Sequence, residues 1–69
     1  MDIAEKIRIL AIKNKITVQQ LAEKSGQSSA NLYNKLSRNT FKLSELEKIA
    51  TSIGAELEVN FIMPDGTKI

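Results

Sequence analysis

The chain has no cysteine, no histidine and no tryptophan, and one proline and three glycines among its 69 residues. Without cysteine, no disulfide can staple the fold and no thiolate can bind a metal. Without histidine, the commonest general base and the commonest metal ligand are both missing. Ser25, Ser28 and Ser29 therefore have no obvious base to activate them as nucleophiles. A glycine-rich phosphate loop is absent as well, so no enzymatic activity, cofactor, metal or small-molecule ligand is expected. No apolar run approaches the roughly 20 residues that span a bilayer. The first ten residues, MDIAEKIRIL, carry acids and show no secretory apolar core, which leads to a cytoplasmic expectation. A chain this short makes one small domain, and its stability is expected to be marginal because it buries a limited share of its surface.

A further shortage is local. Residues 25–42 hold Lys35, Arg38 and Lys42 and not one Asp or Glu, a net charge of +3. Residues 1–24 carry +2, and residues 43–69 carry −3 through Glu45, Glu47, Glu56, Glu58 and Asp65 against Lys48 and Lys68. A middle segment free of carboxylates suits a polyanionic partner, which repels acids as strongly as it attracts Lys and Arg.

The hydrophobic spacing organises the rest. Asp2-x-x-Glu5 opens a helix expected over about 3–14, with Ile3, Ile7 and Leu10 as its inner stripe and Asn14 near its end. Ile9, Ile12 and Ile16 form a second apolar face that needs cover. Thr17-x-x-Gln20 is a capping box for a helix over about 18–25, with Leu21 and Ala22 inward and Gly26 as its stop. Ser28 can cap a third helix over about 29–37 whose buried pair is Leu32 and Leu36, and Phe41 reads as a core plug. Ser44-x-x-Glu47 opens a fourth helix, carrying the stripe Leu46, Ile49, Ala50, Ile53 and ending at Gly54. After Gly54 the period changes. Leu57, Val59, Phe61 and Met63 alternate with polar or oppositely facing residues, as in a half-buried strand, before the turn signal Pro64-Asp65-Gly66. Three residues remain to return along that strand. Its pairing groups are expected to find either the same strand of a second subunit across a two-fold axis, or a short hairpin lying on the chain's own helices.

The middle pair of helices has a small residue, Ala22, where the two must approach, and a tight turn at Gly26. Such a pair presents its second helix outward, sized for a DNA major groove. The stretch TVQQLAEKSGQSSANLYNKLSRN, followed by FKLSELEKIATSIG, resembles the phage-repressor-type (XRE or Cro) helix-turn-helix family over residues 3–54. The resemblance implies a mainly α, four-helix domain over residues 1–54, a recognition helix in the major groove, and dimers on palindromic operators. Residues 55–69 look like the short C-terminal strand or hairpin arm of some small members, with Leu57, Val59, Phe61 and Met63 as dimerisation residues. The chain departs from the family pattern at three places. Val18 stands where a phosphate-contacting Gln is common, Ser25 stands where an apolar residue usually precedes the turn glycine, and Leu36 falls one position late.

With Leu32 and Leu36 inward, a helical wheel puts Gln27, Ala30, Asn31, Asn34, Ser37 and Arg38 outward, flanked by Tyr33 and Lys35. Carboxamides donate and accept at once and so match the N6 and N7 edge of adenine, while an alanine methyl can touch a thymine methyl. Ser29, Ala30, Asn31 and Asn34 are the expected base contacts. The expected phosphate contacts are Thr17, Gln19, Gln27, Ser28, Tyr33, Lys35, Arg38, Asn39, Thr40 and Lys42. The function so read is a sequence-specific regulator of transcription, a dimeric repressor on a palindromic operator with A·T pairs at key positions. The alternative is a protein-binding adaptor or inhibitor of phage or mobile-element origin on the same fold, since fold does not fix function.

Overall fold

The computed structural model describes residues 2–69. Four helices follow one another: α1 (Ile3–Lys13), α2 (Val18–Lys24), α3 (Ser29–Arg38) and α4 (Leu43–Ser52). Three of them start where a side-chain oxygen takes up an orphan N–H of the first turn. The Asp2 carboxylate accepts from the Glu5 N–H at 2.7 Å, and the Ser28 hydroxyl accepts from the Asn31 N–H at 3.1 Å. At α2 the box is reciprocal: Thr17 Oγ1 accepts from the Gln20 N–H and Gln20 Oε1 from the Thr17 N–H. Such caps are worth about 1 kcal/mol each.

The fourth helix starts differently from the expectation. Ser44 is not its cap; the cap position is Lys42, and Ser44 lies inside the first turn. A lysine side chain has no acceptor to offer, so only the returning half of a box forms, with the Lys42 N–H donating to the Glu45 carboxylate at 3.4 Å.

All four helices end with the same pair of backbone hydrogen bonds. Ile16 N–H reaches Ala11 O and Lys15 N–H reaches Ile12 O; the same crossed pattern recurs at Gln27 and Gly26, at Thr40 and Asn39, and at Ala55 and Gly54. This is the Schellman arrangement, which requires a left-handed residue just past the helix. Glycine supplies it at Gly26 (φ +78°) and Gly54, but Lys15 (φ 57°) and Asn39 (φ 53°) do so with side chains.

The core is built around α2, which packs against the other three helices. Leu21, Ala22 and Leu32 have no exposed surface, and Ile7, Leu36, Ile49 and Ala50 close around them. Burying each large side chain contributes about 1.5–3 kcal/mol. The inner stripe of α1 is Ala4, Ile7 and Ala11, rather than the expected Ile3, Ile7 and Leu10. Alanines let the α1 backbone come close to its neighbours, and the bulkier Ile9 and Leu10 fall half-buried at the margins while Ile12 is 73% exposed. The α4 stripe is as expected: Ile49 and Ala50 are buried, and Leu46 and Ile53 pack on the core from its edge. Phe41 does the same from the α3–α4 loop, half-buried.

The C-terminal strand expected over residues 55–63 does not form. Among the described residues there is no named strand, only an isolated antiparallel bridge between Ile62 and Lys68. Around it, Phe61 and Ile69 exchange backbone hydrogen bonds at 2.8 and 2.9 Å, and the Met63 N–H donates to Thr67 O across the Pro64–Gly66 turn. Three returning residues satisfy the last part of the alternating segment and leave Glu56–Asn60 without a pairing strand in the chain. The alternation is not half-buried either, since Leu57, Val59, Phe61 and Met63 are all exposed. The arm lengthens the molecule to 41 × 25 × 19 Å, with a radius of gyration of 13.1 Å where a compact chain of this length has about 11 Å.

Candidate nucleic-acid interface

The surface of interest is the outer side of α3 and the loop that follows. Leu32 and Leu36 are buried, which turns Ala30, Asn31, Asn34, Ser37 and Arg38 to solvent. These five lie where the wheel places them, with the carboxamides of Asn31 and Asn34 accessible, whereas Gln27, also expected outward, is half-buried with its Nε2 donating to the Ser25 hydroxyl. A shallow concavity collects Asn31, Asn34, Lys35, Arg38, Asn39, Thr40 and Lys42, seven of the expected contact residues, with Phe41 and Glu45 completing its wall. A second, smaller hollow adjoins it, lined by Ser25, Gln27 and Lys48 and sharing Asn31, Lys35 and Glu45. No residue of the arm lines either hollow.

The remaining expected residues surround this surface. Thr17 and Gln19 sit exposed at the start of α2, and Ser28 is exposed at the start of α3. Ser29 is half-buried, which leaves it less reach than Ala30 or Asn31. Tyr33 is 50% exposed on the flank of α3 and lines neither hollow.

Two of these side chains already hold the fold together. The Asn39 carboxamide oxygen accepts from the Ala4 N–H at 2.9 Å, supplying a partner for an orphan donor at the start of α1 from 35 residues away. Lys35 Nζ lies 3.0 Å from the Glu45 carboxylate, so its charge is opposed by an acid that folding brings into the acid-free segment's surface. The hydrogen bond from Lys35, with lesser help from the Lys42 N–H and against some desolvation, holds the Glu45 carboxyl below its ordinary range. Arg38 and Lys42, exposed on either side of the αL residue Asn39, extend the positive surface beyond that pair.

Three participants escape a reading of the sequence. Glu45 is one, because its ten-residue separation from Lys35 follows no helical period. Lys48 is another; it follows Glu45 by three positions on α4, so once Glu45 is located at this surface Lys48 falls beside it. Ser25 is the third. Its hydroxyl donates toward Leu21 O and Ala22 O at 2.9 and 3.1 Å, which is how a polar residue is accommodated at a usually apolar turn position.

No helix among the described residues is long and apolar enough to cross a membrane. No curated protein and no solved structure matches the chain at a significant level. The family model of the Cro/C1-type helix-turn-helix DNA-binding domain matches residues 6–58, from the first turn of α1 into the arm. With four helices, a glycine-stopped α2 and an outward amide-rich α3 within that span, the chain belongs to the Cro/C1-type helix-turn-helix DNA-binding domain family.

Proposed function

We propose that this chain is a sequence-specific transcriptional regulator that acts as a dimeric repressor, with α3 in the major groove of a palindromic operator. The observation that carries the reading is the exposed face of α3. Its carboxamides stand clear of the core and of the arm, and basic side chains border them. In this reading Asn34, Asn31, Ala30 and Ser29 meet base edges. Arg38, Lys42, Thr40, Tyr33 and the exposed Thr17, Gln19 and Ser28 meet the backbone, with Gln27, Lys35 and Asn39 adding to them. Repression is steric, since an occupied operator excludes polymerase.

The dimer is supported by surface area. The chain exposes 5221 Å², where a compact monomer of 7.7 kDa exposes roughly 4,300 Å². The difference, about 900 Å², is close to the roughly 800 Å² that each partner of a standard interface covers. The exposed Leu57, Val59, Phe61 and Met63 are the natural place to lose it. A two-fold pair would set its recognition helices about 34 Å apart along the duplex.

Selection from a randomised duplex library tests the proposal. The full chain should enrich half-sites containing A·T pairs. Asn34→Ala should relax the preference at one position, whereas Arg38→Ala should weaken binding to all sequences and flatten the salt dependence. A second reading, a protein-binding adaptor, is favoured by one observation: an apolar groove of about 350 Å³ between α1, α4 and residues 55–57. Binding to random-sequence duplex separates the two, because a DNA binder loses affinity steeply with added salt and an adaptor has little to lose.

A further inference from the structure

A chain of side-chain hydrogen bonds runs from the α2–α3 turn to the reading face. Its first member, the Ser25 hydroxyl, has one proton and two neighbours that can only accept, Leu21 O at 2.9 Å and Ala22 O at 3.1 Å. That proton is committed, so toward any other group Ser25 Oγ is an acceptor. The half-buried Gln27 side chain meets it at 3.1 Å and must therefore present its Nε2. The Gln27 Oε1 is thereby turned the other way, toward Asn31, whose Nδ2 donates to it at 3.4 Å. The Asn31 main chain is itself fixed, because its N–H donates to the Ser28 hydroxyl at 3.1 Å.

The consequence is a polarity. One N–H of the Asn31 carboxamide points at Gln27 Oε1 over a long 3.4 Å contact, which leaves the other N–H and the Oδ1 for a ligand. One donor beside one acceptor complements adenine, which offers N6–H and N7 in the major groove. Guanine offers two acceptors, O6 and N7, and would need two donors. We propose that Ser25 is a positioning residue that, through Gln27, sets which edge Asn31 turns to DNA and so selects adenine over guanine at the base Asn31 reads. The inference rests on the reading that α3 enters the major groove, and it adds a residue that touches no DNA to the determinants of specificity.

The test uses the full chain and a randomised duplex library. Asn31→Ala first identifies the base position whose preference disappears. Ser25→Ala should then lower the adenine-over-guanine preference at that position by roughly fivefold or more, with the preferences at other positions and the salt slope unchanged. Ser25→Thr keeps the hydroxyl and should keep the preference. A second measurement needs no DNA: in the free protein, the side-chain amide NMR signals of Gln27 should exchange with water more slowly than those of Asn34, and Ser25→Ala should abolish the difference. Solvent-like Gln27 signals in the unsubstituted protein, guanine at the Asn31 position, or unchanged selection by Ser25→Ala would each overturn the relay while leaving the regulator reading intact. A chain that enriches no sequence would overturn both.

Discussion

The helical body and the C-terminal arm are made of similar residues put to different use. In the body, nine apolar side chains from α1 to α4 are buried and six more pack on them from the edge, while Ile3, Ile12, Tyr33 and Leu43 stay at the surface. In the arm, Leu57, Val59, Phe61, Ile62, Met63 and Ile69 are all exposed, three of them to 70% or more. The body closes because four amphipathic helices can share one interior. The arm has one turn and three returning residues, so its apolar groups find no interior of their own. Stability therefore resides in residues 3–54, and the arm's apolar surface remains available for something else.

The largest effects should come from the body. Leu21→Ala opens a cavity beneath a fully buried position and should cost about 3–4 kcal/mol in urea unfolding, a large part of what a 69-residue domain has. Phe61→Ser, at a side chain 73% exposed, should leave the folding of the monomer within about 0.5 kcal/mol. With the arm as the proposed dimer contact, it should at the same time raise the protein concentration at which dimers sediment. A Phe61→Ser chain that unfolds as easily as Leu21→Ala would erase the division between the two regions.

Next in size is the contact that joins the ends of the body. Asn39→Ala removes the partner of the Ala4 N–H and places a β-carbon residue without amide compensation at φ 53°, for an expected loss of about 1–2 kcal/mol. Asn39→Asp keeps the acceptor and should recover most of it. Asn39→Gly relieves the backbone alone and should recover less. Equal stability for the Asp and Ala variants would remove the hydrogen bond from the explanation.

These two regions were also unequally legible. In the body, local chemistry sufficed: Asp2, Thr17, Gln20 and Ser28 mark helix starts, Gly26 and Gly54 mark stops, and Leu32 with Leu36 fixes which side of α3 faces out. The start of α4 was misplaced because Ser44-x-x-Glu47 and Lys42-x-x-Glu45 both spell part of a box, and Lys42 wins without a side-chain acceptor. The α1 stripe was misplaced because weighting by size favours isoleucine, whereas close helix packing favours Ala4 and Ala11. At the interface, exposure of the carboxamides followed from periodicity. The Lys35–Glu45 pair and the Asn39–Ala4 bond did not, because each depends on how distant elements meet. In the arm, alternation spoke for a strand, but a strand also requires a partner, and the three residues that return along it cannot supply one over Glu56–Asn60.

A smaller effect, of opposite sign, concerns the helix ends. Lys15 occupies a left-handed conformation that Gly26 and Gly54 adopt without strain at equivalent positions. Lys15→Gly should stabilise the chain by about 0.5 kcal/mol, the relieved backbone strain being partly offset by the freer unfolded chain. Gly26→Ala should do the reverse at the cost of about 1 kcal/mol, because its φ of +78° is unfavourable for a side chain even though the space beside it is open.

The smallest effect distinguishes body from arm by pH. Glu45 and Asp65 both have carboxyls held below their ordinary range, Glu45 by its hydrogen bond from Lys35 and Asp65 by its hydrogen bonds from Thr67. For a depressed acid, the stabilisation is present above the unfolded-state pKa and is lost as pH falls through the lower folded-state value. Both contributions should therefore be complete at neutral pH and fade below about pH 4.5 for Glu45 and about pH 3.8 for Asp65. Solvent screens both groups, so the changes should be slight. They differ in what they loosen. Protonating Glu45 weakens the Lys35 contact between α3 and α4, so it should slightly lower the thermal midpoint of the helical body, and Glu45→Gln should remove that part of the acid dependence. Protonating Asp65 loosens only its hydrogen bonds from Thr67, whose N–H lies 2.9 Å away within the same arm, so it should shift arm resonances in an NMR titration and leave the midpoint unmoved. An Asp65→Asn variant whose helices melt earlier would show that the arm braces the body after all, and that its exposed side chains contribute to the stability of the single chain.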